Sequence, residues 1–366
     1  MRRTLRLGVG AIAGLAALAL AGQAFAAYTP KLAVQMGAAG TRIHLTIPPT
    51  DDPTAHLVFY APAGTSANLG ATAGSTIGTL DAKAAAGALG GATLPLTGTV
   101  QVRAANGTYL SSGQQVPLAA AATLCSGTAT HAAFWVLVLS AAGQTLEVPI
   151  LVDPVTGPVA AAASYQLTLC LPPSDIPESA GGAAFGAKVF DADFTVKGIF
   201  TPTTAGVNVW RLLATPYTPA KGTPNAAATV EAQSYVETGS VVLSTATRVL
   251  TKIAAAFKVS GTAKATGLPD THATVALAKG SVSTKLAIFA RPAAGSSGAF
   301  SGKFTVRRTA KAQTLYVAAT ATAPERDLGA SACHATFGPV PCVGATASGF
   351  VAVSAPRKVV VPARGK

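Results

Sequence analysis

A chain of 366 residues with 27 Lys and Arg against 14 Asp and Glu carries a formal charge of +13, yet only 11% of its residues are charged. No nucleic-acid recognition motif accompanies that charge, and no stretch after residue 21 is apolar for long enough to cross a bilayer; both nucleic acid as a partner and a membrane-spanning helix in the mature chain are excluded. About 340 residues follow the N-terminal segment, more than one ordinary core holds, so two or three domains are expected.

The first 27 residues have the layout of a secretory signal peptide. Arg2, Arg3 and Arg6 form a positive head, Leu7 to Ala21 an apolar run, and Ala24-Phe25-Ala26 a small-residue cleavage box ahead of Ala27 and Tyr28. The run is about fifteen residues, short of the roughly 18–20 that span a bilayer, so cleavage rather than anchoring is expected. Gly8-Val9-Gly10-Ala11-Ile12-Ala13-Gly14 imitates a nucleotide loop, but it lies inside this run and reflects its small-residue composition. Thr4-Leu5-Arg6-Leu7 departs from a twin-arginine signal, which leaves general secretory export. The first cysteine is Cys125, which rules out a lipid anchor at the cleavage site. The expected location is secreted or associated with the cell surface.

Beyond the signal the periodic pattern is β. Thr41 to Ile47 alternates polar with apolar residues, as does Thr99 to Arg103, and alternation marks a strand with one buried face. Further strands are expected over Ala55–Tyr60, Ala133–Leu139, Gln144–Val152, Ser164–Leu171, Lys188–Val196, Val207–Ala214 and Thr229–Val236. Asp81–Ala88 and Ala119–Ala122 are Ala-rich enough for a turn or two of helix. Leu94-Pro95-Leu96-Thr97-Gly98 matches a wall-sorting signal in letters, but it is far from the C-terminus and reads as coincidence. Asn106-Gly107-Thr108 is a formal glycosylation acceptor and first of all a hairpin turn.

Charge divides the chain. Residues 27–246 hold eight basic against eleven acidic residues, whereas residues 247–366 hold sixteen against three. A boundary near Ser244–Lys252 follows. The expected organisation is a signal peptide (1–27), a β-sandwich region (28–245, one large or two small domains dividing near 180), a basic sandwich (246–355) and a basic tail (356–366). The fold class is all-β, with two or three antiparallel sandwiches.

The last third supplies strands at Phe257–Ala265, Thr274–Ala278, Lys285–Ala290, Gly298–Arg307, Thr314–Ala321 and Gly349–Ser354. Here Phe257-Lys258-Val259-Ser260-Gly261-Thr262, Gly298-Ala299-Phe300 and Thr314-Leu315-Tyr316-Val317 resemble the immunoglobulin-like modules of bacterial exported and surface proteins. In those modules a Gly-x-Phe turn precedes a strand and an aromatic strand follows. The resemblance covers under a third of the chain. It implies an immunoglobulin-like fold and a surface location, not an activity.

An even number of cysteines in an exported chain implies disulfides. Four cysteines admit three connectivities, and pairing within each candidate domain favours Cys125 with Cys170 and Cys333 with Cys342. Cys333-His334 with Cys342 is the nearest approach to zinc-ligand spacing and falls short of it, so no metal and no cofactor are expected.

The chain has no G-x-S-x-G elbow, and its five histidines, at 44, 56, 131, 272 and 334, each read first as strand or turn residues. Any serine-hydrolase triad would have to be assembled through the fold. Asp191 and Asp193 fall on one strand face; they read first as a solvated face and second as a calcium or sugar contact. With Trp210 and Tyr217 they form the carbohydrate-binding alternative; Trp135 reads as core, and Trp210, although Arg211 beside it and Tyr217 shortly after speak for exposure, also reads first as core. The strongest functional clue is positive charge: Lys303 and Arg307 share a strand face, and Arg308 and Lys311 extend it. Such a face attracts anionic wall polymer or lipid headgroups through a field that salt weakens. The sequence thus points to a non-enzymatic exported protein with an adhesive or envelope-structural role, with polysaccharide binding as its alternative.

Overall fold

The structure, a computed structural model, describes residues 28–364 except 38–39, 112, 142, 203–207 and 296; the signal peptide lies outside the described residues. Strands dominate. In the first part they are β1 (Lys31–Gly37), β2 (Gly40–Thr46), β3 (Thr54–Pro62), β4 (Thr65–Ala67), β5 (Thr76–Ala86), β6 (Ala92–Arg103), β7 (Thr108–Ser111) and β8 (Gln114–Pro117). One helix, α1 (Leu118–Ser126), follows, then β9 (Ala133–Ala141), β10 (Gln144–Pro154), β11 (Ala163–Cys170), β12 (Ala187–Val196), β13 (Phe200–Pro202), β14 (Asn208–Pro216) and β15 (Val230–Val236). The second part comprises β16 (Thr238–Leu250), β17 (Ala254–Thr266), β18 (Thr274–Val282), β19 (Lys285–Ala290), β20 (Ala299–Arg307) and β21 (Gln313–Ala323). It ends with β22 (Arg326–Gly329), β23 (Cys342–Ala347), β24 (Phe350–Val353) and β25 (Arg357–Val361).

Thirteen of these strands form one sheet in the order β1-β2-β12-β5-β6-β9-β10-β11-β3-β14-β15-β23-β22. Residues on either side of 180 therefore interleave, because β12 lies between β2 and β5, and β14 between β3 and β15. The sheet curls so that β1 returns beside β15: the Val34 N–H donates to Ser234 Oγ at 2.8 Å, and Gln35 Nε2 donates to the Ser348 carbonyl at 2.7 Å. Alternation gives the curled sheet its buried inner face. On β2, Thr41, Ile43 and Leu45 face inward while Arg42 and His44 face out.

Alanine does the same on β5, where Ala82, Ala84 and Ala86 are buried while Asp81 and Lys83 face out. The helical turns expected over Asp81–Ala88 are thus a strand, since helix propensity yields to a buried, paired face. The interior is filled by Trp135, Trp210, Phe59, Phe194, Ile150, Leu167 and Leu212. Outside it, α1 seats Leu118 and Ala122 on Phe134, Val136 and Leu151 and ends at Gly127, whose φ of 79° only glycine adopts cheaply.

The second unit faces a three-stranded sheet, β16-β17-β20, against a five-stranded one in which β24 and β25 both pair with β21 in the order β19-β18-β21-β24. Phe257, Phe300, Phe304, Leu277, Val317 and Val359 make the core between them. Arg357–Val361, expected in a basic tail, is strand β25. Between β21 and β24 the chain leaves this unit, adding β22 and β23 to the large sheet, with β23 parallel to β15. The two units are thereby interlocked. At their junction the carboxylate of Glu237, 1% exposed, accepts from Arg326 Nη2 at 2.8 Å, the Gly349 N–H at 3.2 Å and the Thr271 hydroxyl.

Candidate functional site

Positive charge gathers on the outer face of the three-stranded sheet. β17 buries Ala255, Phe257, Val259 and Ala263, so Lys258 and Lys264 must face out; β20 buries Phe300 and Phe304, so Lys303 and Arg307 face out. The register places Lys258 directly opposite Lys303, with Ala254 opposite Arg307 and Ser240 opposite Lys264. All four side chains are exposed, and among the described residues none has a carboxylate within ion-pair distance. Thr247, Thr262, Thr305 and Ser301 fill the face between them, with Val242 and Val249 exposed at its side. Like charges directly opposed across strands oppose folding, so the arrangement has no account in stability.

Lys303, Arg307 and Lys311 are exposed as the sequence implies. Arg308 is not free for a ligand. Its Nη1 donates to the Thr251 carbonyl at 2.8 Å, its Nε to Pro362 at 3.3 Å and its Nη2 to Ala363, so it clamps the C-terminal end instead. Lys258 escaped the sequence reading because strand register, which sets it opposite Lys303, is not written in local pattern; Lys264 shares the same face six residues further along β17.

The carbohydrate candidates do not converge. Trp210 is fully buried, edge-on to Phe200 at 5.4 Å, and cannot act as a stacking platform. Tyr217 is 7% exposed and donates its hydroxyl to the Leu171 carbonyl at 2.6 Å; burial raises its pKa. Asp191 and Asp193 stand on the outer face of β12, the opposite side of the sheet from Trp210. Arg42 Nε donates to both Asp193 oxygens at 2.9 and 2.8 Å, and Lys83 Nζ lies 3.5 Å from Asp191. These carboxylates belong to a cross-strand ion ladder that continues through His44, 3.9 Å from Asp191 and 3.8 Å from Glu325; Lys31 makes a separate pair with Asp327 at 2.5 Å.

The Glu325 carboxylate beside the ring, then the neighbouring Asp191 and Asp193, raises the pKa of His44 against the opposing effect of burial. A raised folded pKa stabilises fully below the unfolded value and is lost as pH climbs through the folded one. Urea unfolding is therefore expected to show stability falling as pH rises above about 6.5, with His44→Gln flattening that slope.

One constellation has the atom order of a hydrolase relay: Ser126 Oγ lies 3.1 Å from His131 Nε2, and His131 Nδ1 2.6 Å from Asp153 Oδ2. Its setting is a turn. Ser126 is the last residue of α1 and its hydroxyl bonds the Ala122 carbonyl at 2.9 Å, while Asp153 also accepts the Ala132 N–H at 3.0 Å. Acyl transfer needs N–H donors aimed at a developing oxyanion, and a helix C-terminus presents carbonyls, the opposite polarity. The three residues stitch the 126–132 turn to β10. A fluorophosphonate probe is expected to leave Ser126 unmodified by mass spectrometry; stoichiometric labelling there would contradict the structural role.

Both expected disulfides are present, Cys125–Cys170 and Cys333–Cys342. The second closes the loop whose Thr336 N–H is held by the buried Glu231 at 2.7 Å. Among the described residues no group of His, Cys, Asp or Glu is placed to hold a metal ion, and no helix is long and apolar enough to cross a membrane. No protein-family model, curated protein or solved structure matches the chain.

Proposed function

We propose that the mature chain is an exported, non-enzymatic β protein retained at a polyanionic surface by its second unit, with an adhesive or envelope-structural role. The observation that carries this reading is the Lys258–Lys303 opposition, flanked by Lys264 and Arg307 on a face with no acid. A fold that tolerates unneutralised like charges side by side gains from them only when an anion arrives. The flat, Thr- and Ser-lined face suits an extended anionic polymer or a headgroup layer better than a compact ligand. Two disulfides are compatible with an oxidising compartment. The signal over residues 1–27 is read as cleaved on export, and the second unit, three strands facing five, as an immunoglobulin-like sandwich.

Co-sedimentation of the mature chain with purified wall fragments, and separately with anionic and neutral vesicles, tests the reading. Binding is expected at ~0.1 M salt and release at ~1 M, where the screening length shrinks from about 10 to about 3 Å. The two arms identify whether wall polymer or lipid is the partner. Binding that survives high salt, or fails in both arms at low salt, would overturn the proposal.

A further inference from the structure

The wall of the large sheet is split. β10 pairs with β11 only from Leu151 to Pro154, whereas Gln144–Ile150 pairs with β9 alone, and the end of β11 pairs with β3 alone. Pro149, which has no N–H to give a second neighbour, stands where the two strands part. A cavity of about 970 Å³ occupies the gap. On its inner side are Ala84, Leu96, Leu139, Leu146, Val148 and Val189, all facing the first core or packed on it. On its outer side are the end of α1, held to β11 by Cys125–Cys170, and the chain from Leu171 to Phe185.

Phe185 has a φ of 57°, a left-handed conformation that is costly for an aromatic residue and is held here at the cavity wall. The polar side chains away from the rim are almost all satisfied. Glu147 accepts from Arg103 at 3.0 Å and the Leu110 N–H at 2.6 Å, Lys188 donates to the Pro49 carbonyl at 2.8 Å, and Tyr217 to Leu171. His56 is different: half-buried, on the outer side of β3 between the inward Ala55 and Leu57, its ring makes no hydrogen bond among the described residues. Burial lowers its pKa, which favours the neutral ring with one donor and one acceptor.

We propose that this split is a binding site for an uncharged lipophile, with an apolar chain or ring system lying between Leu96, Leu139, Leu146 and Val148 and a single hydroxyl or ester oxygen meeting His56. The volume is that of a site for a drug-sized molecule, and apolar walls with one unsatisfied polar group are what such a ligand needs. Of the charged side chains that line it, Glu147 is paired with Arg103, Lys188 is tied to the Pro49 and Asp51 carbonyls, and Glu178 is exposed at the rim, so a charged head finds no free, buried counter-charge.

The full mature chain, titrated with the neutral fluorophore N-phenyl-1-naphthylamine, is expected to bind it saturably at one site. Monoolein should displace the probe, and oleate or a cationic alkyl ammonium of equal length should displace it at least tenfold less well. Val148→Trp, which fills the gap, should abolish probe binding with the thermal midpoint retained; Leu146→Trp serves if that variant does not fold. His56→Leu should keep probe binding and weaken monoolein displacement by roughly 3–10-fold, the worth of one net hydrogen bond. Absence of saturable binding, unchanged binding in a folded cavity-filling variant, or equal displacement by oleate would each overturn the proposal.

Discussion

Glu237→Ala is expected to lower the unfolding free energy by about 3–5 kcal/mol, the range for breaking a buried ion pair by removing one partner. The carboxylate joins three segments at once: Arg326 at the start of β22, Thr271 after β17 and Gly349 ahead of β24. Ser348 Oγ also accepts from the Glu237 main-chain N–H at 2.9 Å. Without Glu237, Arg326 keeps only the exposed Asp270 at 3.4 Å, and its Nε is already buried without a partner among the described residues. Chemical denaturation followed by circular dichroism measures the loss. A cycle with Arg326→Ala should show coupling, because each single change strands the other group; additive losses would contradict the pairing.

Trp210→Ala should also cost about 3–5 kcal/mol, since it empties the centre of the first core beneath Phe200. Trp210→Phe should cost less than half as much. The indole N–H is buried with no hydrogen-bond partner among the described residues, and a group left so is penalised by about 1–3 kcal/mol, which phenylalanine relieves. Denaturation by urea distinguishes the two variants. A stable, folded Trp210→Ala protein that loses affinity for an oligosaccharide would instead make Trp210 a ligand contact and contradict its burial.

Trp210 reads first as core from the sequence, and strand geometry says why. Arg211 beside it suggests exposure, but neighbours on a strand face opposite sides, so an outward Arg211 places Trp210 inside. Where alternation is sharp, as in Thr41–Ile47, the strand was legible; where the inward residues are Ala82, Ala84 and Ala86, contrast is weak and helix propensity misled. The cysteine pairs followed from keeping each within one candidate domain. Charge asymmetry pointed to the basic unit, but partners set by long-range pairing were invisible locally. Lys258 meets Lys303 across 45 residues of chain through register alone, and Arg308 parts from Arg307 to bind carbonyls at the far end of the chain. The Arg326–Ala347 excursion onto the large sheet has no local signature either, since its strands are short.

Retention by one specific face is tested most directly by the affinity of Lys258→Ala/Lys303→Ala for anionic vesicles or wall fragments, whichever the native chain binds. The control is Lys285→Ala/Lys358→Ala, which removes the same charge from exposed positions outside that face. At roughly 1 kcal/mol per basic residue near an anionic surface, the first variant should lose about 30-fold in affinity, with a shallower salt dependence. The control should stay close to the native chain. Equal losses in both variants would mean that overall charge, not the opposed lysines of β17 and β20, does the holding.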